Sequence, residues 1–314
     1  METKIKKRKA LYCNAKVLLM FLVIYGHLIE THVDDSAFFL WQYRIIYTVH
    51  MPMFAFLSGF FLKSEYDCLK QMRGALKIYV PAQLTAMLVL WITEKRVLSF
   101  FVPYWHLWYL LSLFFWAGIC YFATRVRKTR SKALLLLLSG IVACLCGCVD
   151  GIGRFLSLSR TLCFLPFVLL GCFLPKDIDF GRYKAKGAIL GVVAICTFLI
   201  CIPKLPVELL YFADSYEKLG ITFGVGWRCL CILIAFGIGN ALLCFMPRQS
   251  IAVSKVGVDT LLIYLLHGPV VKLIRNVDLG NAWFAIIAPV LAVFIYLGLY
   301  LVFGRRKNEV QIIS

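Results

Sequence analysis

The apolar run VLLMFLVIYGHLI, residues 17–29, decides the fold class of this chain. It follows the basic segment KIKKRK, residues 4–9, and with the residues just before it forms a helical span long enough to cross a bilayer core of about 30 Å. Nine further runs of comparable length occur along the chain. The predicted spans are 13–29, 42–62, 76–93, 104–123, 133–149, 160–175, 187–203, 222–246, 257–275 and 282–303.

The composition of the whole chain is that of a membrane protein. Of its 314 residues, 61% are hydrophobic and 16% are charged, and the mean hydropathy is +0.84. A soluble domain is nearer half apolar and a quarter charged. The sequence therefore predicts an all-α, polytopic membrane helical bundle of about ten helices. This single domain covers 1–314, with cytoplasmic tails at 1–12 and 304–314.

The positive charges are distributed unevenly between the two sides of the predicted membrane. With the N-terminus inside, 24 of the 34 Lys and Arg residues fall in cytoplasmic segments and ten in outer ones, among them Arg154, Arg160 and Arg228. This positive-inside bias places both termini in the cytoplasm. It also accounts for the net charge of +18 without a nucleic-acid partner. The first span has no small-residue cleavage site, so we expect a multi-pass protein of the cell membrane that keeps this span.

The thirteen cysteines do not form a recognisable metal or disulfide pattern. Most of them lie inside apolar runs, as in ACLCGC, residues 143–148, and none shows paired CxxC spacing. Free cysteine behaves as a small hydrophobic residue. We therefore interpret the cysteines as packing residues and predict no metal site.

Three histidines occur at similar depths in three of the predicted helices. At 1.5 Å per residue from the basic residue at the cytoplasmic end of each helix, the depths are about 16 Å for His27, 20 Å for His50 and 18 Å for His267. A single histidine in a helix is more often a packing residue, but ionisable groups within spans usually mark a site. Pro52 and Pro269 follow two of them, and irregular backbone inside a membrane is tolerated where it lines a cavity. The sequence thus predicts a polar cavity in this layer.

The chemistry of this cavity follows from its residue types. A buried, neutral imidazole can act as a general base. Glu30, at i+3 from His27, has two interpretations: it orients the imidazole, or it belongs to the solvated acidic loop ETHVDDS, residues 30–36. Ser58 has no base one turn away on its own helix, so no protein nucleophile stands out. A base without a nucleophile favours direct activation of an acceptor hydroxyl.

An aromatic segment, PYWHLWYLLSLFFW, residues 103–116, lies at the outer end of the fourth span. Trp105 is interpreted either as part of an interfacial aromatic belt or as a platform for a sugar or a lipid-linked acceptor. His106 is expected to be interfacial and more exposed than the histidines of the layer. Arg160 enters the sixth span from outside, where it either extends outwards or reaches into the cavity.

A basic segment, KQMRGALKIYVP, residues 70–81, lies at the inner side of the third span. It places Arg73 and Lys77 on one helical face, with Lys70 nearby. A basic inner mouth suits a phosphate-bearing donor, and a plain topology signal predicts the same residues.

Taken together, these segments resemble acyltransferase family 3, the integral membrane O-acyltransferases that include O-antigen acetylases and fucose-O-acetylase-like proteins. The resemblance covers nearly the whole chain and follows the family's order of motifs. The motifs are VIYGH (23–27), YTVHMPMFAFLSGFFL (47–62), KIYVP (77–81), HLWYLLSLF (106–114), RTLCFLPFVLLGCFL (160–174) and LLIYLLHGPVV (261–271).

The resemblance implies a ten-helix bundle that transfers an acyl group, usually acetyl from acetyl-CoA, to a hydroxyl of an extracytoplasmic glycan. Acetyl-CoA is then a substrate, and no bound cofactor is implied. The resemblance also implies that His27 is the catalytic histidine, preceded in the family by an arginine where this chain has Lys16. Lysine keeps the charge but loses the bidentate guanidinium. The family's paired arginines before the third helix correspond loosely to Arg73 and Lys77.

The combined prediction is an O-acetylation that modifies a polysaccharide. Acyl-CoA docks from the cytoplasm with its phosphates near the basic segment 70–77. His27 deprotonates the acceptor hydroxyl of a cell-surface glycan or lipid-linked sugar. His50 or His267 polarises the thioester carbonyl or positions the acceptor.

Two alternatives accompany this prediction. A polytopic transporter or flippase for a sugar or lipid-linked sugar also fits a bundle with a polar midplane cavity, although the sequence shows no inverted pair of broken helices. A family member that has lost catalysis and binds glycan is the other alternative, because Lys16 replaces the family arginine.

Overall fold

The fold is built from α-helices joined by short turns and one longer connection. The computed structural model describes residues 2–251, 254, 257, 260–274 and 281–303, and within them ten α-helices and no strand are present. The helices are α1 (Glu2–Ile29), α2 (Ala37–Phe61), α3 (Glu65–Glu94), α4 (Trp108–Ala123), α5 (Thr129–Leu145), α6 (Leu158–Phe173), α7 (Lys184–Cys201), α8 (Gly224–Phe245), α9 (Thr260–Ile274) and α10 (Asn281–Phe303). The predicted all-α fold is confirmed.

Most of these helices can cross a membrane. Among the described residues, eight helical segments are long and apolar enough to do so. α9 is apolar but has only 15 residues. α2 is not one of the eight, and it carries the polar side chains of Gln42, Arg44 and His50. The chain is therefore a multi-pass membrane protein, and each helix overlaps one predicted span.

The start of α3 differs from the sequence prediction. The predicted span begins at residue 76, whereas the helix begins at Glu65. Ser64 caps it by accepting a hydrogen bond from the Asp67 backbone N–H at 3.1 Å, and acidic residues in a first turn interact favourably with the helix dipole. The basic segment 70–77 therefore lies within α3, in keeping with the helical face that was predicted for Arg73 and Lys77.

The two predicted tails differ in what the structure describes of them. α1 begins at Glu2, so most of the predicted tail 1–12 is helical. The tail 304–314, Lys255 and Arg275, which entered the charge count, lie outside the described residues.

The chain divides into two compact units, Met1–His50 with Ala241–Ser314 (unit 1) and Met51–Asn240 (unit 2). In unit 1, α1 packs against α9 and α10, and these two helices pack against each other. The apolar face of α1 is fully buried through Ala15, Leu19, Met20, Ile24 and Leu28. In water, burying each large apolar side chain would stabilise this helix by about 1.5–3 kcal/mol. In a bilayer the lipid is itself apolar, so close packing between the helices stabilises α1 instead.

Unit 1 is also fastened by a buried amide near the start of α1. Asn14 Nδ2 donates hydrogen bonds to the carbonyls of Pro247 (3.0 Å) and Gln249 (3.1 Å). Ser254 Oγ donates to Asn14 Oδ1 at 2.5 Å. Asn14 thereby ties α1 to the segment that precedes α9.

In unit 2, α3 packs on α4, and α6 packs on both α4 and α5. α2 and α6 meet at two glycines whose backbones approach closely. A Cβ on Gly59 would lie 1.9 Å from the Val168 carbonyl oxygen, and one on Gly171 would lie 2.2 Å from that of Phe56. Such small-residue crossings are typical of membrane helices, because packing and not water exclusion holds the helices together.

Charged side chains fasten one end of unit 2. Lys63, just after α2, donates hydrogen bonds to the carbonyls of Gly171 (2.5 Å) and Leu174 (2.7 Å) at the C-terminal end of α6. Arg125, just after α4, pairs with Glu65 at the start of α3 at 2.8 Å. The ends of α2, α4 and α6 thus lie with the start of α3, at the end that the predicted topology assigns to the cytoplasm.

Candidate active site

His27 and His267 lie side by side in unit 1. The packing of α1 against α9 brings the two imidazole rings to 5.5 Å between centroids, with 23° between their planes. His267 is fully buried, whereas the His27 side chain is 13% exposed. His27 is therefore the more accessible of the two.

All three histidines of the predicted layer direct Nδ1 to an acceptor; together they are called the histidine cluster below. The pairs are His27 Nδ1 with Glu30 Oε2 (3.3 Å), His50 Nδ1 with the Ile46 carbonyl (2.6 Å) and His267 Nδ1 with the Tyr264 carbonyl (2.6 Å). A carbonyl oxygen only accepts, so Nδ1 of His50 and His267 carries the hydrogen. In the neutral imidazole the lone pair is then on Nε2, and Glu30 selects the same tautomer for His27.

Glu30 combines the two roles that its sequence position suggested. It opens the short 3₁₀ turn Glu30–His32 after α1, and its side chain is 31% exposed. Its carboxylate also faces His27. The carboxylate therefore contacts the imidazole while it remains partly solvated.

His50 belongs to the same level of unit 1. A Cβ on Gly26 would lie 3.1 Å from Ile46 Cγ2 and 3.5 Å from the Tyr47 ring, so the backbone next to His27 contacts the turn that precedes His50. The Tyr47 ring in turn meets His50 edge-on at 4.8 Å between centroids. His50 is buried, and Tyr47 contacts both His50 and the backbone beside His27.

The predicted donor-binding residues fall in both units. Lys16 is half-buried on α1, eleven residues before His27. In unit 2, Lys70, Arg73 and Lys77 are exposed on α3. Their helical positions place them opposite the buried face of α3, which includes Cys68, Ala75, Tyr79 and Gln83.

Ser58 is paired with a phenol in unit 2. Its Oγ lies 2.6 Å from Tyr109 Oη, and Tyr109 also donates to the Phe54 carbonyl at 3.4 Å. A hydroxyl paired with a phenol lacks the base that activates a serine nucleophile. This contact is in keeping with the interpretation that Ser58 is not a nucleophile.

A cavity of about 290 Å³ opens in unit 2 where α3 ends and where α4 and α6 begin. We call it the basic cavity. Its charged lining consists of three arginines, and its aromatic lining of one tyrosine and two tryptophans. These side chains are Arg96, Arg154, Arg160, Tyr104, Trp105 and Trp108. Trp105 and Arg160, which the sequence analysis assigned to an acceptor site, therefore share one cavity.

Two of the arginines have defined positions. Arg160 Nε donates to the Tyr211 carbonyl at 3.1 Å, and its guanidinium lies over the Trp108 ring, 4.8 Å from the centroid. Arg154 pairs with Asp214 at 3.3 Å. Lys218 holds the other oxygen of this carboxylate at 2.5 Å. Burial raises the pKa of Asp214, but Lys218 and Arg154 outweigh it and keep the pKa below its usual range.

The expectation for His106 was wrong. It was expected to be more exposed than the histidines of the layer, but it is buried at 6% exposed, whereas the His27 side chain is 13% exposed. The reason is local: Trp105 has a left-handed φ of 36° at the start of the 3₁₀ turn Trp105–Leu107. The turn directs Trp105 to the cavity and His106 into unit 2, with the two rings perpendicular at 5.3 Å.

Gln83, which the sequence did not single out, shapes this region. Gln83 is fully buried in α3, donates to the Val102 carbonyl (3.0 Å) and accepts from the Tyr104 N–H (2.9 Å), so it anchors a wall of the cavity. A lone amide in an apolar span was the available signal.

Arg228, which the charge count places on the outer side, is fully buried near the start of α8. It donates to the Asp214 carbonyl at 3.1 Å, and its guanidinium lies 4.5 Å from the centre of the Tyr216 ring. Arg228 therefore supports the segment that carries Asp214. Charge counting could not show this, because it gives each arginine a side of the membrane and not its burial.

No group of three or more metal-ligating side chains occurs within the part of the chain that the structure describes. All thirteen cysteines are free thiols, and most are buried. The histidine cluster with Glu30 supplies groups suited to proton transfer, and the arginines of the basic cavity supply groups suited to anion binding.

Comparison with protein families decides the class of this chain. A family model described as an acyltransferase domain matches residues 14–304. This chain belongs to acyltransferase family 3. It is an acyltransferase that transfers groups other than aminoacyl groups. The match spans both units and includes every candidate site residue, and membership in a family of transferases disfavours the transporter alternative. No curated protein and no solved structure gives a significant match.

Proposed function

We propose that this family 3 acyltransferase transfers an acyl group, acetyl in the simplest case, from acyl-CoA to a hydroxyl of an extracytoplasmic carbohydrate. His27 is the general base. Glu30, His50 and His267, which assist the base, belong to unit 1 as His27 does. The plasma membrane is the proposed location, because the acceptor is a cell-surface glycan or a lipid-linked sugar.

The observation that supports this proposal is that an acceptor lies at Nδ1 of each histidine in the cluster. A base must present a lone pair to the proton that it removes. Glu30 at 3.3 Å holds Nδ1 of His27, so Nε2 carries the lone pair. His27 is also the most accessible member of the cluster, since His50 and His267 are 3% and 0% exposed.

The proposed step transfers one proton and one acyl group. His27 Nε2 removes the proton of the acceptor hydroxyl while its oxygen attacks the thioester carbonyl. The new C–O bond forms, the C–S bond breaks, and the departing CoA thiolate takes the proton from the imidazolium. Glu30 stabilises the imidazolium during this step, because an opposite charge nearby favours the protonated form. The products are the O-acyl carbohydrate and free CoA.

The neighbouring histidines have a different proposed role. His267 and His50 are held by backbone carbonyls of their own helices and carry their lone pairs on Nε2. A neutral imidazole in that state accepts hydrogen bonds, so we assign these two residues to positioning the acceptor hydroxyl rather than to polarising the thioester carbonyl.

The donor is proposed to bind through its phosphates. Lys70, Arg73 and Lys77 form an exposed basic row on α3, at the end of unit 2 that is predicted to be cytoplasmic. Phosphate oxygens bind Lys and Arg by charge-assisted hydrogen bonds. Lys16 on α1 is a further proposed contact to the donor.

The experiment compares the surface glycans of cells that carry the wild-type protein with those of cells that carry His27→Ala, at matched membrane levels. Mild base releases ester-linked acyl groups, and mass spectrometry identifies and counts them. We expect one acyl species to disappear in the variant and to persist in the control His32→Ala. If wild-type, variant and deletion strains release the same acyl groups, surface-glycan acylation is wrong.

A further inference from the structure

We propose that the basic cavity recognises an anionic sugar of the acceptor, so that the natural acceptor is an acidic glycan whose carboxylate or phosphate binds the arginines. This inference rests on the proposed function, because it names the class of acceptor. It adds Arg96 and Arg154 to the residues that bind the acceptor, and it gives Arg160 a specific partner.

The first observation is the charge of the lining. Three guanidinium groups surround a cavity of about 290 Å³, which is close to the lower limit for small-molecule sites and suits one sugar residue. Arg160 is held in one plane by the Tyr211 carbonyl and the Trp108 ring. Planar, preorientated guanidinium groups bind carboxylate and phosphate by paired hydrogen bonds.

The second observation is the direction of two helices. α4 begins at Trp108 and α6 begins at Leu158, and residues of both first turns, Trp108 and Arg160, line the cavity. The N-terminal end of a helix carries partial positive charge. Both helix ends therefore add to the attraction that the arginines exert on an anion.

The third observation is backbone strain. Among the described residues, every non-glycine residue with a left-handed φ either lines the cavity or adjoins a residue that does. These residues are Lys95, Trp105, Leu156, Ser157 and Phe212. Strained backbone persists where the surrounding structure enforces it, and it clusters at functional sites. A surface that existed only to mark membrane topology would need arginines but no strained walls.

The two tryptophans of the cavity have different roles. The Trp108 ring lies beneath the Arg160 guanidinium and stacks on Phe164, with 5.6 Å between the two ring centroids. Trp108 therefore positions the arginine. Trp105 is half-buried in the lining, where its indole offers an apolar face to the C–H groups of a sugar ring. One cavity thus combines a sugar platform with anion-binding groups.

The test measures binding without acyl transfer. Purified protein in phosphatidylcholine nanodiscs is titrated with three probes: a hexasaccharide of alternating glucuronate and N-acetylglucosamine, its carboxyl-reduced neutral counterpart, and a glycerol phosphate oligomer. We expect at least one anionic probe to bind tenfold or more tightly than the neutral one. The two anionic probes distinguish carboxylate from phosphate as the recognised group.

The variants locate the binding. Arg160→Gln and Arg96→Gln should remove most of the preference for the anionic probe. Arg96 is exposed, so its substitution leaves the fold intact even if Arg160→Gln weakens it. The matched control Arg130→Gln, an exposed arginine on α5, should keep the full preference.

Several results would overturn the proposal. Equal binding of the neutral and anionic probes would exclude an acidic acceptor, and a preference that survives both variants would exclude this cavity. If glycan binding is lost when the protein is placed in phosphatidylglycerol nanodiscs instead of phosphatidylcholine ones, the cavity binds a lipid headgroup. The outcomes are separable from those for the proposed function: anion binding without acyl transfer refutes the enzyme reaction alone, and acyl transfer to neutral glycans refutes this inference alone.

Discussion

The histidine cluster of unit 1 and the basic cavity of unit 2 are both polar sites in an apolar chain, but different kinds of backbone build them. His27, His50 and His267 lie on regular helices, and each Nδ1 is held by an acceptor within four residues. The cavity is built from helix ends and connections, and left-handed residues such as Trp105 and Ser157 shape its walls.

This difference indicates a division of labour. Groups on helices are held within narrow limits, as a proton-transfer step requires. Groups on connections are easily varied without damage to the scaffold, as substrate recognition requires. We therefore expect substitutions in the cluster to change kcat and substitutions at the cavity to change KM for the acceptor.

The largest expected effect belongs to His27→Ala. Removing a general base lowers a rate by about 10²- to 10⁴-fold. We expect that loss in kcat with no change in the KM for the acceptor, measured as initial rates of labelled acetyl transfer to glycan from the producing cells. A change confined to KM would erase the distinction between the two sites.

Glu30→Gln should have the next largest effect. The amide keeps an acceptor for Nδ1 but loses the charge that stabilises the imidazolium. A hydrogen bond to a charged group contributes about 1.5–3 kcal/mol, which corresponds to roughly a 10- to 100-fold loss in kcat. Asp34→Asn, in the same acidic loop, is the matched control. Equal rates for Glu30→Gln and wild type would show that Glu30 serves only the solvated loop.

Gln83→Ala tests the cavity through its anchor. The substitution removes the hydrogen bonds from Gln83 to the Val102 carbonyl and from the Tyr104 N–H, which leaves buried backbone groups unpaired. We expect the free energy of unfolding to fall by about 1–3 kcal/mol. Thermal unfolding in detergent measures this loss of stability. In a separate kinetic assay we expect a raised KM for the acceptor. Gln71→Ala on the same helix is the control; a similar loss there would mean that the amide at 83 has no special role.

Asp214→Asn should have the smallest effect, and it depends on pH. Ion pairing keeps the pKa of Asp214 below its unfolded value. The carboxylate therefore stabilises the fold above the unfolded pKa of about 3.9, and this stabilisation is lost as the pH falls through the folded pKa. Because Arg154 and Lys218 are each 60% exposed, we expect less than about 1 kcal/mol at pH 7.

The measurement for Asp214→Asn is the melting temperature of both proteins at pH 7 and pH 3. The gap between wild type and variant should shrink at pH 3, and Glu217→Gln should show no gap at either pH. A gap that widened in acid would reverse the sign of the argument and discard the ion pairs as its cause.

The elements that the sequence predicted well are those set by composition and helical rise. Apolar runs located each of the ten helices, because a bilayer admits only chains that satisfy their own backbone hydrogen bonds. The depth count placed His27 and His267 at one level, and the rings are 5.5 Å apart. A constant rise of 1.5 Å per residue makes such counts reliable along a straight helix.

The elements that the sequence missed depend on contacts between distant segments. His106 was expected to be exposed, but the left-handed Trp105 turns it inwards. Charge counting gave Arg228 a side of the membrane but not its burial over Tyr216. The start of α3 was placed eleven residues too late, because the cap at Ser64 extends the helix beyond its apolar part.

The sequence by itself determined the membrane bundle, the family and the three histidines, because hydrophobic length and residue type act locally and need no partner. Only the tertiary structure decided which acceptor holds each imidazole and that Arg96, Arg154 and Arg160 share one cavity. Side-chain direction at helix ends depends on backbone angles that neighbouring segments impose, and no periodicity in the chain records them.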